Sequence, residues 1–507
     1  MTVENGKLAF PGSYMCLISV EDNSNDPTGK PWLDLSSYQV YRISVGPDNF
    51  LWAKTWGGLG DDYGHDVAID GSGNAYVTGW FYDITDFDPG PGVDNHTSNG
   101  EGDAFLSKFD SSGSLQWTKA WGGTGWDSGI SIGVDGSGNT YVSGLFLGTV
   151  DFDPGTGVDN HTSNGDADLF LSKFDSSGNF VWTKTWGGSD WDFGYGVAVD
   201  GSGNAYVSGL FIDTVDLDPG PGVDNHTSNG SEDVFLSKFD SSGNFQWAKT
   251  WGGVSDDSGC SITVDGSGNA YVPGYFYDTV DFDPGPGVDN HASNGDSDIF
   301  LSKFDSSGNF QWAKTWGGEW DDSGYGVAVD GTGNAYVTGQ FSGYVDFNPD
   351  IGVDFHIYTG LYGAYDIFLS KFDSSGNFQW AKTWGGEWDD SGYAVAVDST
   401  GNAFVTGAFY GNADLDPGPG KDVHTSIGSE GDVFLSKFNS SGDFLWARTW
   451  GGNDYGGDVG FGVAADGSGH AYVTGYFEDT FDFDPGPGED IHTSNGGGDA
   501  FLSKFEP

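Results

Sequence analysis

Cysteine and methionine are almost missing, with two of each in 507 residues. The two cysteines, Cys16 and Cys260, lie far apart, and Cys260 stands where other copies of its surroundings carry residues such as Ile130 or Tyr195. A disulfide framework is therefore excluded, and the small number of thiols says little about redox compartment. Basic residues are also scarce: 18 Lys and Arg face 75 Asp and Glu, for a formal net charge of −57. Nucleic acid is thereby a poor partner, because binding it depends on neutralising phosphates with cationic side chains. No apolar run is long enough to span a membrane. No secretory leader is recognisable, although Met1 opens onto polar sequence that could continue a longer precursor.

What the chain has in abundance is glycine, 87 residues, and aromatic residues, 16% of the total. Together these describe a turn-rich all-β protein. So large an acidic excess strains a compact fold by self-repulsion unless cations or high salt offset it, so divalent-ion binding and a saline habitat are both consistent with it.

Repeats decide the architecture. Trp-Gly-Gly begins at Trp56, Trp121, Trp186, Trp251, Trp316, Trp384 and Trp450, which makes seven copies of one unit, most of them 65 residues long. Within a unit, Val197 to Gly209 places two β-rich runs around Asp-Gly-Ser-Gly-Asn, and Val234 to Trp251 alternates its side chains around a second Ser-Gly-Asn turn. Both read as hairpins, because glycine supplies the positive φ such turns need. Two hairpins give four strands per unit, and four-stranded sheets repeated radially make a seven-bladed β-propeller.

The ends test ring closure. The chain stops at Phe501-Leu-Ser-Lys-Phe505, without the last strand of a unit, and that strand stands instead at Phe50 to Trp56. The N-terminal strand is expected to complete the seventh blade. Residues 40–507 are then the propeller and residues 1–39 an extension able to dock on a neighbour. Tyr41 to Val45 is a surplus strand that packs outside the ring or pairs with another molecule.

The recurring pattern Asp-x-x-Gly, Val-Ala-Val-Asp-x-x-Gly-Asn-Ala-Tyr-Val-Thr-Gly and Asp-x-Phe-Leu-Ser-Lys-Phe-Asp-x-x-Gly resembles the bacterial SBBP repeat family over roughly residues 40–507. That resemblance implies a seven-bladed propeller and a secreted or cell-surface setting, and it implies no particular reaction. The segment with Tyr14, Cys16, Asn25, Pro27 and Trp32 is faintly similar to small chitin-binding-type and phage-fibre modules.

The best candidate site is a loop between the second and third strands, where three acidic positions recur within nine residues. They are Asp86, Asp88 and Asp94; Asp151, Asp153 and Asp159; Asp216, Asp218 and Asp224; Asp281, Asp283 and Asp289; Asp346, Asn348 and Asp354; Asp414, Asp416 and Asp422; and Asp482, Asp484 and Asp490. Calcium takes six to eight oxygen ligands, and these carboxylates with nearby backbone carbonyls suit it better than magnesium. The same aspartates would equally close Asx-type turns with no metal, and both readings stay open.

A histidine follows each triad: His96, His161, His226, His291, His356, His424 and His492. A transition-metal role is conceivable for such a set, but histidine is a poor calcium ligand, and an Asp-to-His contact that fastens the loop accounts for the recurrence. Asp62, Asp127, Asp192, Asp257, Asp322, Asp390 and Asp458 after each Trp-Gly-Gly, and Asp103 and Asp168 before the third strand, look in the family like turn-fixing residues.

The paired tryptophans, such as Trp52 and Trp56, face one side of a strand and are expected to pack between blades. Trp126, Trp191, Trp320 and Trp388 sit instead in Asp-rich loops, where exposed aromatics suit a glycan or a protein contact. The fifth unit is longer and adds Phe355, Tyr358, Leu361, Tyr362 and Tyr365, expected to form an apolar edge for a partner. No nucleophile elbow, zinc helix, Cys-His pair or phosphate loop occurs, and no one-copy constellation suggests an active site. The sequence thus points to a secreted, calcium-stabilised, non-catalytic propeller for adhesion, matrix building or filament assembly. A calcium-dependent lectin and a propeller enzyme are its rivals, and a purely halophilic acidity is a third.

Overall fold

The computed structural model describes residues 49–360, 363–428, 431–452 and 457–507, together with the backbone of three short strands, Val3–Glu4, Lys7–Phe10 and Ser13–Cys16. Those three strands form a small antiparallel sheet of their own. The proposed extra strand at Tyr41 to Val45 lies outside the described residues, as do Leu361 and Tyr362.

Every regular element described is a strand. Blade one is an antiparallel meander of Asp62–Ile69, Ala75–Phe81, Asp103–Phe109 and Leu115–Trp121. Six further blades repeat it, and the first strands of neighbouring blades approach one another around a central channel. Blade seven takes its fourth strand from the N-terminal side, where Phe50–Trp56 pairs with Asp499–Phe505 from Phe50↔Phe505 to Trp56↔Ala500. The ring therefore closes as the chain ends predict.

The core lies between blades rather than within them. In the seam between blades one and two, Trp121 packs on Phe170 and Phe174 at centroid distances of 6.1 and 5.2 Å, with Tyr76, Leu106, Val142 and Phe152 all buried beside it. The inter-blade reading of these tryptophans is correct. Burial of so many aromatic side chains is the dominant stabilising term of the ring.

The turns follow from their residues. Asp70 Oδ1 accepts the N–H groups of Ser72 and Asn74 at 2.8 and 3.0 Å, and Gly73 takes the positive φ of 78° that the turn requires. On this side of the disc lysines bolt adjacent blades: Lys173 Nζ donates to the Ser241 carbonyl at 2.8 Å while lying 4.6 Å from the centre of the Tyr141 ring. Lys504 does the same between blades seven and one, through Ser111.

Candidate functional site

The acidic loops are small hairpins standing on the opposite side, between the second and third strands of each blade. In blade one, Ile84–Asp86 pairs with Asn95–Thr97. Asp86 Oδ1 accepts the backbone N–H of Asp88 at 3.2 Å and of Asp94 at 2.8 Å, and Asp88 Oδ1 accepts that of Gly90 at 2.8 Å. The same bonds recur with Asp151 and Asp153, Asp216 and Asp218, Asp281 and Asp283, Asp414 and Asp416, and Asp482 and Asp484. In blade five Asn348 replaces the second carboxylate and accepts from Asp350 N–H at 2.9 Å. This is Asx-turn geometry, and it uses one oxygen of each carboxylate. Among the described residues no group of three or more His, Cys, Asp or Glu side chains is gathered as a metal site.

The third aspartate of each triad meets the histidine. Asp159 lies 3.5 Å from His161 Nε2, and the other ring nitrogen is 2.8 Å from the Thr185 hydroxyl on the fourth strand. Five more histidines, 226, 291, 356, 424 and 492, make the same contact to a threonine. His96 faces a strand that carries Ala120 in that place. The histidines clamp hairpins onto their blades.

Asp62 and its equivalents do fix turns. Asp62, wholly buried, accepts the N–H of Gly58 at 2.6 Å and the Thr85 hydroxyl at 2.7 Å. Burial pushes its carboxyl group up to about 7, and the same cause raises Asp499, its neighbour across the seam, to about 7.

The four loop tryptophans divide. Trp126 is half-buried against Trp80 at 6.2 Å, and Trp191 stacks on Phe193 at 5.7 Å, so both are wall residues as much as surface ones. Trp320 and Trp388 are 41% and 54% exposed, each laid over a positive-φ glycine, Gly343 or Gly411. In blade five Phe355 is exposed, whereas Tyr358 packs on the blade's core and Tyr365 is half-buried. The exposed face of that hairpin is completed by Tyr344, Ile351, Val353 and Ile357, which sequence reading missed.

The channel holds what the sequence reading said was lacking, an arrangement present in one copy. Six of the first strands carry a β-bulge, as between Gly64 and Asp66 or Gly324 and Gly326, and the skipped residue lines the channel. Six bulges place His65, Ile130, Tyr195, Tyr325, Tyr393 and Phe461 there. Cys260 holds the seventh place in blade four, where Pro273, having no N–H, interrupts the ladder; the hydroxyl of Ser208 meets the Ser261 carbonyl instead at 3.1 Å. Rings form a continuous wall: Tyr325 to Tyr393 at 5.8 Å, Tyr393 to Phe461 at 5.8 Å, Phe461 to His65 at 5.5 Å.

Beside this wall stands Asp66, whose counterparts are Ser131, Gly196, Ser261, Gly326, Ala394 and Gly462. Its carboxylate accepts the Ser131 hydroxyl and Ile132 N–H, both at 2.9 Å, and its own neighbour's N–H at 2.8 Å. Desolvation still pushes it up to about 6 and pushes His65 down to about 4, while His65 Nδ1 donates to the Gly129 carbonyl at 3.1 Å. The signal was available in the sequence. The repeats are nearly identical at their turns and differ at positions 65 and 66 and their counterparts, where the fold places His65 and Asp66 at the channel.

The fold and its seams define a seven-bladed β-propeller closed between its ends. The family model of the SBBP beta-propeller repeat matches residues 52–80 and 311–340. It is 24% identical over 442 residues to an uncharacterized WD repeat-containing protein, L264, of Acanthamoeba polyphaga mimivirus, covering 72% of this chain and 31% of that protein. It is 28% identical over 157 residues to the regulatory protein FlaEY of Caulobacter vibrioides, covering 31% of this chain and 16% of that one. The chain thus spans less than a third of either curated relative. Among solved structures, a chain of the mitotic checkpoint complex matches with a TM-score of 0.45 and 9% identity, covering 96% of this chain and 99% of that one. No helix among the described residues is long and apolar enough to cross a membrane.

Proposed function

We propose that the chain is a non-catalytic, extracellular or cell-surface propeller that assembles with a protein partner, foremost a second copy of itself, through the hairpin of blade five. One observation carries this reading. Tyr344 pairs with Ile357 and Asp346 with Phe355, so the outward side of the hairpin presents Tyr344, Phe355 and Ile357. Blades two, three and seven place hydrogen-bonded threonine pairs at the Tyr344–Ile357 position, Thr149 with Thr162, Thr214 with Thr227 and Thr480 with Thr493. An apolar patch on so acidic a surface marks a contact site. The hairpin tip is held for it: Asp350 accepts from Lys314 Nζ at 2.6 Å and from Phe378 N–H at 3.0 Å. Adhesion, matrix building and filament assembly are the roles such a contact serves.

Sedimentation velocity at rising protein concentration and at 0.15 to 1 M NaCl tests it, since salt screens the acidic self-repulsion. Self-association lost in Tyr344→Thr/Phe355→Asn/Ile357→Thr supports the reading, and association that survives the triple change moves the contact elsewhere.

Calcium at the hairpins is a second proposal. It is supported by the second carboxylate oxygen that the turns of blades one to four leave outside their hydrogen bonds, as on Asp86 and Asp88, and by the net charge of −57. Calcium-specific stabilisation at constant ionic strength is its test.

A further inference from the structure

Asp66 is an acid without a cation. Among the described residues that line the channel it is the one carboxylate, no lysine or arginine accompanies it, and its basic neighbour His65 is held neutral by desolvation. Three hydrogen bonds support the carboxylate, yet they supply no opposite charge. A carboxylate in a desolvated setting is costly until a cation or a proton compensates it.

The surroundings define which cation. A calcium or magnesium ion takes several oxygen ligands, and one carboxylate among aromatic rings, valines and isoleucines does not provide them. Such a wall suits an organic cation, whose charge is attracted to aromatic rings and which needs no shell of oxygen ligands from the site. The channel cavity is about 230 Å³, below the range of about 300–1,000 Å³ usual for drug-sized ligands, so the occupant is small. The summed field of the acidic surface draws cations toward it.

We propose that the channel binds one organic ammonium group, seated on the Asp66 carboxylate with its aliphatic stem against Tyr325, Tyr393 and Phe461. The ammonium belongs either to a free alkylamine or to a lysine side chain of a partner, and the proposal is independent of the blade-five contact. One copy in seven carries the acid, which gives one site per ring.

Calorimetric titration of the full chain at pH 8 and 150 mM NaCl tests the site with n-butylammonium, with Nα-acetyl-lysinamide, and with their neutral counterparts n-butanol and Nα-acetyl-norleucinamide. The expected result is saturable binding of one cation per chain, at least tenfold weaker for the neutral counterpart. Binding falls at least tenfold in Asp66→Asn and is unchanged in Asp61→Asn, which removes an exposed acid at the rim. Ile130→Trp, which enlarges the bulge residue that lines the channel on blade two, abolishes it and carries the test should Asp66→Asn unfold. Butylammonium binding assigns the site to free amines, and binding of the lysine derivative alone assigns it to a partner's side chain. Equal affinity in a folded Asp66→Asn protein, equal binding of the neutral compounds, retention of binding in Ile130→Trp, or no saturable heat with either cation overturns the proposal.

Discussion

Asp62 of blade one and Asp499 of blade seven bury their carboxyl groups on either side of the seam that closes the ring, and the charge of Asp499 adds to the desolvation that raises Asp62. Equivalent pairs, such as Asp127 with Asp103 and Asp192 with Asp168, occupy the other seams. In the folded protein these groups hold protons up to about pH 6 to 7, whereas in the unfolded chain they release them near 3.8. The folded state therefore binds more protons between those values, and stability falls as pH rises through them. The turn aspartates, such as Asp70 and Asp175, are held below their ordinary value by hydrogen bonds that outweigh burial, so their contribution is lost below about pH 4. Thermal unfolding from pH 3 to 8.5 at fixed ionic strength is expected to give a maximum Tm near pH 4 to 5. Tm then declines toward pH 8, and Asp499→Asn reduces that slope.

Trp121 is buried in the seam between blades one and two, against Phe170 and Phe174. Trp121→Ala is expected to cost about 3–5 kcal/mol in denaturant unfolding. Trp388→Ala, at an exposed position, is expected to change stability by less than about 0.5 kcal/mol. Similar values for the two would contradict the placement of the core between blades.

His161 joins a hairpin to Thr185, while His96 has an alanine opposite. His161→Ala is expected to cost about 1 kcal/mol and to speed proteolytic cutting of its hairpin. His96→Ala is expected to do less of both. Limited proteolysis followed by mass spectrometry separates the two cases.

Calcium added after exhaustive chelation, compared with sodium at equal ionic strength, is expected to raise Tm by mass action if the hairpins hold it. A rise reproduced by sodium alone assigns the effect to screening of the net charge.

Much of the architecture was legible beforehand because it depends on local chemistry and on counting. Seven Trp-Gly-Gly marks give seven blades, and an orphan strand at Phe50–Trp56 facing a missing one after Phe505 gives the closure. The small hairpins were hidden, because three-residue strands such as Ile84–Asp86 carry too little periodicity to register. The channel was hidden for a different reason. A bulge turns His65 and its counterparts out of the strand's alternation, so a period-two reading assigns them no face. Tyr358 was misplaced because an aromatic residue in an extended loop looks free until the core beneath it is built.

The closing strand has a history that the finished disc conceals. During synthesis Phe50–Trp56 emerges before its partner Asp499–Phe505, so an unpaired edge waits through the production of the six blades between them. The waiting strand closely resembles the fourth strand of every other blade: Phe310–Trp316 and Phe378–Trp384 read Phe-Gln-Trp-Ala-Lys-Thr-Trp where it reads Phe-Leu-Trp-Ala-Lys-Thr-Trp. Any nascent blade still short of its outer strand is a competent host, including one on a neighbouring ribosome. Slow translation and crowding would thus convert the device that seals one ring into one that links two.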